Sequence, residues 1–166
     1  YGVDDLDFLA GMGPENEVEF GEALKGEAQI SAWMDANAEA FKSVTDDEIR
    51  EALGGLIGDV DKKALDGVIA DEYATATRKG LAVSFDGWID DDIAFVHPWG
   101  FDLGAIQVPV LIWQGDDDFM VPHAHSYWLE KHIPTGTLHF VPGHGHISLI
   151  ADYKNQIIEQ ARELLK

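Results

Sequence analysis

Two short stretches of the chain gather the side chains best suited to acid–base chemistry. Gly115-Asp116-Asp117-Asp118-Phe119-Met120-Val121-Pro122 carries three consecutive carboxylates, and Pro142-Gly143-His144-Gly145-His146 carries two imidazoles among glycines. A carboxylate that bonds one ring nitrogen of a histidine leaves the other nitrogen to take and return a proton. Each stretch offers more than one candidate for that couple. Joined by His123 and His125, the same residues make two His-x-His pairs near a triple Asp, a set of donors that suits a divalent metal. The first pair falls at a helix start, where side chains two positions apart diverge, so no metal site is expected.

The elements before these stretches decide where they lie. Val108-Pro109-Val110-Leu111-Ile112-Trp113-Gln114-Gly115 is a short, almost wholly apolar run closed by Gly, the pattern of a strand buried on both faces of a parallel sheet. Pro122 to Ile133 reads as a crossover helix with Trp128 and Leu129 inward, and Thr137 to Val141 as a second strand. Ser148 to Lys166 reads as a closing helix with Ile150, Ile157, Ile158, Ala161 and Leu164 on its inner face. Both stretches therefore follow a strand, and doubly wound α/β proteins do their ligand chemistry at the carboxyl ends of strands. Two parallel strands make a poor sheet by themselves, and the first would present a bare edge. The segment is expected to continue a larger sheet.

The residues up to about 95 read instead as a string of helices. Pro14-Glu15-Asn16-Glu17 opens a helix that closes near Gly26, with Pro and acids suited to its first turn. Ile30, Trp33, Met34, Asn37 and Phe41 share helical spacing on the next. Thr45 and Glu48 form a capping box ahead of Ile49, Leu53 and Leu56. One helix is predicted from Asp61 to Gly80, and another from Ser84 to Phe95. Trp33, Met34, Phe41 and Trp88 are candidates for packing among these helices or for a substrate wall, while Asp90-Asp91-Asp92 reads as a solvated face.

The string VPVLIWQGDDDFMVP resembles strand seven and the acid loop of the α/β-hydrolase fold, whose pattern is an apolar strand followed by G-x-x-D-x-x-V-P. Gly115, Asp118, Val121 and Pro122 match it and single out Asp118 over Asp116 and Asp117. TLHFVPGHGHISL is similar to strand eight and the loop carrying the base, with Gly145-His146 at the family's Gly-His. The two residues stand 28 apart, room for one helix and one strand. The segment from Ser84 to Ile106 resembles the return from lid to core in actinobacterial hydrolases related to proline iminopeptidases. The resemblance implies residues 98–166 as the last two parallel strands with flanking helices, after a helical lid over 1–97. It implies a Ser-His-Asp hydrolase of small esters or amides in which Asp118 orients His146.

The family's nucleophile sits in G-x-S-x-G, and none of Ser31, Ser43, Ser84, Ser126 and Ser148 lies in that pattern. The chain is therefore expected to be inert by itself, its partner being a missing N-terminal half or another copy that covers the strand edge. No cofactor is implied. With no cysteine, disulfides and thiolate sites are excluded. A net charge of −20, from 31 acidic and 11 basic residues, repels phosphate backbones and anionic bilayers, so neither nucleic acid nor membrane is an expected partner. The start Tyr-Gly-Val-Asp-Asp has no signal-like pattern and the chain no long apolar run, and a cytoplasmic location is the expectation.

Overall fold

The computed structural model describes residues 5–165. Among these residues six α-helices precede the strands: α1 (Pro14–Ala23), α2 (Glu27–Asn37), α3 (Ile49–Ala52), α4 (Asp59–Ala64), α5 (Gly67–Gly80) and α6 (Asp86–Val96). There follow β1 (Val110–Gly115), α7 (His123–His132), β2 (Gly136–Val141) and α8 (His146–Glu163). The chain is thus mixed α/β, mostly helical, with β1 and β2 paired in parallel from Val110 opposite Gly136 to Gly115 opposite Val141. In-register pairing puts the carboxyl ends of both strands side by side, with the acid loop leaving one and the histidine loop the other.

Several expected boundaries move, each for a local reason. The helix predicted from Asp61 to Gly80 is two helices. Leu65 leaves the helical region, Gly67 takes φ +50°, and the Asp66 carboxylate accepts the Gly67 N–H to start α5 afresh. The stretch predicted to run through Phe41 ends at Asn37, and Glu39–Ser43 continue as a 3₁₀ turn. Half of the predicted capping box forms: Glu48 Oε2 accepts the Thr45 N–H at 3.0 Å, but the Thr45 hydroxyl also donates to Glu48 and caps no backbone group. The closing helix begins two residues early, at His146.

The strand read as buried on both faces is not. Val110 to Trp113 are half-buried and only Gln114 and Gly115 are fully covered, because β2 is the single strand paired with β1 among the described residues. Along α8, Ile150, Ile158, Ala161 and Leu164 are exposed, contrary to the predicted inner face. Only its first turn, through Ile147, Ser148 and Leu149, is well buried, since α4 packs there, while beyond it β1 covers one side only, with Tyr153 against Trp113.

Two apolar clusters hold the helices. One gathers Phe8, Phe20, Ile30, Met34, Phe85 and Ile89; the other gathers Ile49, Leu53, Ile57 and Leu65 around Ile147 of α8. The second cluster joins the helical stretch to the helix that carries the histidine. Ile30 is fully buried in the first, and Ile30→Ala should lower the unfolding free energy by about 2–5 kcal/mol. Urea denaturation with an unchanged m value measures it.

Candidate active site

Asp118 and His146 meet. His146 Nδ1 lies 3.0 Å from Asp118 Oδ2. A carboxylate only accepts, so Nδ1 carries the hydrogen and, in the neutral ring, Nε2 keeps the lone pair. Nε2 has no hydrogen-bond partner among the described residues, and the side chain is 44% exposed. The other oxygen of Asp118 accepts the N–H groups of Met120 at 3.0 Å and Val121 at 2.8 Å, and the residue is only 8% exposed. Three donors on one carboxylate fix its orientation, and with it the plane of the imidazole.

The loops themselves are held by close backbone contacts. The Asp117 N–H donates to the His144 carbonyl at 2.9 Å, and Asp116 Oδ1 accepts the Gly143 N–H at 2.6 Å. A side chain at Gly115 would strike the His144 carbonyl, which explains the glycine at the end of β1. Asp116 thus bridges the loops. His144 turns away, with Nε2 3.1 Å from Asp152 on α8 and its ring edge-on to Tyr153. His123 is exposed and His125 buried, the divergence expected of positions two apart. His125 instead bonds the Phe8 carbonyl at 2.9 Å and stacks edge-on to its ring. Among the described residues no group of three or more His, Asp or Glu is arranged to hold a metal.

The hydrogen bond to Asp118 raises the His146 pKa above the usual imidazole value. Burial opposes the rise, while the charges of Asp118 and Asp61 support it. Asp61 is a residue that sequence reasoning took only for a helix start. It is completely buried, and its Oδ1 accepts the Ser148 N–H at 2.8 Å and the Ser148 hydroxyl at 2.6 Å. Ser148 Oγ in turn accepts the Gly145 N–H at 2.8 Å, closing the first turn of α8 around His146. No local pattern signals this contact, because its partners lie 87 residues apart.

The helical half grips the acid loop as well. The Gly13 N–H donates to the Phe119 carbonyl at 2.8 Å, Asn16 Nδ2 to the Met120 carbonyl at 3.2 Å, and Ile57 forms an isolated antiparallel bridge with Asp118. Beside Met120 the helices enclose a cavity of about 1180 Å³. Trp33, Phe41 and Trp88 line it; Met34 does not, being fully buried in the first cluster. Asp118 and His146 are not part of its wall, so Met120 is the cavity's link to the couple.

Asp92 corrects another expectation, for it is 3% exposed rather than on a solvated face. It faces Glu19 of α1, itself 6% exposed, whose Oε1 accepts the Trp88 indole N–H at 2.6 Å. Burial and the neighbouring Glu19 push the Asp92 pKa up to about 8, and burial raises that of Glu19. The two acids therefore share a proton at neutral pH.

No protein-family model matches the chain, and no curated protein matches it. No described helix is long and apolar enough to cross a membrane.

Two outcomes follow from the titrations. The folded chain binds a proton at Asp92 that the unfolded chain has lost above its ordinary value near 3.8. Stability should therefore be greatest below pH 4 for this group, fall as pH rises towards about 8, and level off beyond it. Asp92→Asn should flatten that slope in urea melts across the range. At the couple, Asp118→Asn should move the His146 midpoint to lower pH, read from its ring resonances by NMR.

Proposed function

We propose that this chain supplies the acid and base of a Ser-His-Asp hydrolase of the α/β-hydrolase type, acting on a small ester or amide. The observation that carries the reading is the 3.0 Å Asp118–His146 hydrogen bond at the carboxyl ends of adjacent parallel strands. His146 Nε2 takes the proton of a nucleophilic hydroxyl and returns it to the leaving group. Asp118 keeps the hydrogen on Nδ1 and stabilises the imidazolium formed on the way.

On this reading the nucleophile and the oxyanion donors are supplied by other polypeptide, since no serine of the chain lies in G-x-S-x-G. Ser148 Oγ is committed to Asp61 and Gly145, Ser126 Oγ donates to the His123 carbonyl, and Ser43 Oγ to the Ala40 carbonyl. No described serine bonds His146. The two residues orient and move a proton; attack and charge stabilisation lie with the absent groups.

The reading predicts that the chain alone leaves p-nitrophenyl esters and aminoacyl anilides intact. A polypeptide that also includes the coding sequence upstream should hydrolyse one of these classes. Within it Asp118→Asn should lower kcat on the order of 10⁴-fold, and His146→Ala should lower it at least as far. An active polypeptide indifferent to both substitutions would sink the reading.

A second reading, an assembly module, rests on a different observation. The sheet is two-stranded among the described residues, and Val108, Phe140, Ile150 and Ile158 are exposed on β2, α8 and the approach to β1. Under it the chain self-associates or takes a partner strand. Sedimentation of the isolated chain as a stable monomer would count against it.

A further inference from the structure

The geometry points to Asp61 as a positioning residue for His146: from α4 it fixes the first turn of α8 and brings a second negative charge to the imidazole. This inference rests on the reading of His146 as the base. Three observations carry it. The Asp61 carboxylate is completely buried and accepts both the N–H and the hydroxyl of Ser148, two residues beyond His146. Its Oδ2, also buried, has no hydrogen-bond partner among the described residues. A Cβ at Gly145 would lie 2.5 Å from Asp61 Oδ2, so the residue before His146 is a glycine because the carboxylate occupies that space.

A helix cap alone explains only part of this. Ser, Thr, Asn and Asp cap helices from the position just before the first turn, and here that position is Gly145. The cap arrives from α4, a different element, and brings a carboxylate to the amino end of α8, where the helix dipole favours a charged acceptor over a neutral one. A buried carboxylate with no ion-pair partner is still costly, and a group that becomes positive nearby offsets that cost further. His146 is that group, for Asp61 contributes to raising its pKa together with Asp118.

The titratable groups around the couple come from several elements. The acid loop supplies Asp116, Asp117 and Asp118, α4 supplies Asp59, Asp61 and Lys63, the histidine loop supplies His144, α5 supplies Tyr73, and α7 supplies His125. Burial and then Asp61 raise the Tyr73 pKa, so the phenol stays neutral and does not offset the carboxylate. Burial lowers the His125 pKa, so that imidazole is neutral as well. Lys63 lines the cleft beside Asp59, Asp116 and Asp117 and forms no ion pair with Asp61 among the described residues, while His146 is the imidazole on which the Asp61 charge acts.

Asp61→Asn separates charge from cap, since the amide still offers an oxygen to Ser148. In this variant of the full chain the NMR titration midpoint of His146 should move to lower pH. Ser148→Ala removes one hydrogen bond to Asp61 but keeps the charge, and its midpoint should stay at that of the unaltered chain. A midpoint unchanged in Asp61→Asn overturns the proposal and leaves Asp61 a helix cap only. Equal displacement in both variants also overturns it, because the turn's geometry and not the charge would then set the base. Should Asp61→Asn fail to fold, the unaltered chain carries the same test. The Asp61 carboxyl carbon resonance should show an inflection at the His146 midpoint that disappears in His146→Gln, and its absence overturns the proposal. Neither measurement requires hydrolysis, so failure here is distinct from failure of the ester assay.

Discussion

The arrangement depends on how closely two loops can approach at the ends of neighbouring strands. Parallel strands stand about 4.8 Å apart, and their side chains alternate between faces. A carboxylate on one loop reaches an imidazole on the next only if the backbones between them touch. Gly115 permits that contact, because a Cβ there would collide with the His144 carbonyl. The Asp117 N–H and the Asp116 carboxylate then tie each loop to the other. Once the loops are joined, Asp118 and His146 are in reach with little left to adjust. His144, two residues earlier, projects towards Asp152 and Tyr153 instead. Selection between the two histidines is thus made by backbone direction.

The helical half does more than cover this junction. Gly13, Asn16 and Ile57 each make a hydrogen bond or bridge to the acid loop, and Asp61 holds the start of α8. The segment from Ile57 to Asp61 meets Asp118 at one end and, through Ser148, the helical turn that begins with His146 at the other. Gly58 sits between them, where an added Cβ would strike the Asp117 carboxylate. Any displacement of that segment from the strands therefore loosens acid and base together. Ile147 buries its side chain in the cluster formed by Ile49, Leu53, Ile57 and Leu65, which adds apolar cohesion to the polar contacts.

Much of this was legible in the residue pattern, and the rest fails for identifiable reasons. The strands, the crossover helix and the choice of Asp118 and His146 come from short-range signals: apolar runs, terminal glycines and motif spacing. Asp61 was legible only as a helix start, because its partner Ser148 is far along the chain and carries no charge to suggest a match. Asp92 was misread for a related reason. A run of three acids looks solvated, yet α6 turns the third one inward to Glu19, and only the packing of α6 on α1 reveals it. The break at Leu65 and Asp66 was hidden within an otherwise helical period, since Asp-Gly is a modest signal beside four apolar residues at helical spacing. The inner face of α8 failed because periodicity assigns a face without saying whether anything covers it.

Three buried acids show how environment assigns different roles to one functional group. Asp118 meets two backbone N–H groups and an imidazole, all of which favour an acceptor. Asp92 meets a second acid across a helix interface and retains its proton well into the neutral range. Asp61 stands between these cases, with two donors on one oxygen and none on the other. Its position at the amino end of an 18-residue helix favours negative charge, because the unpaired N–H groups there carry the positive end of the helix dipole. His146 stands at the first position of that helix, where the same dipole disfavours an imidazolium. Asp118 and Asp61 together oppose that penalty. The hydrogen bond to Asp118 acts first and the Asp61 charge adds to it, so the His146 pKa is raised in spite of the dipole, with the second carboxylate coming from the helices that precede the strands.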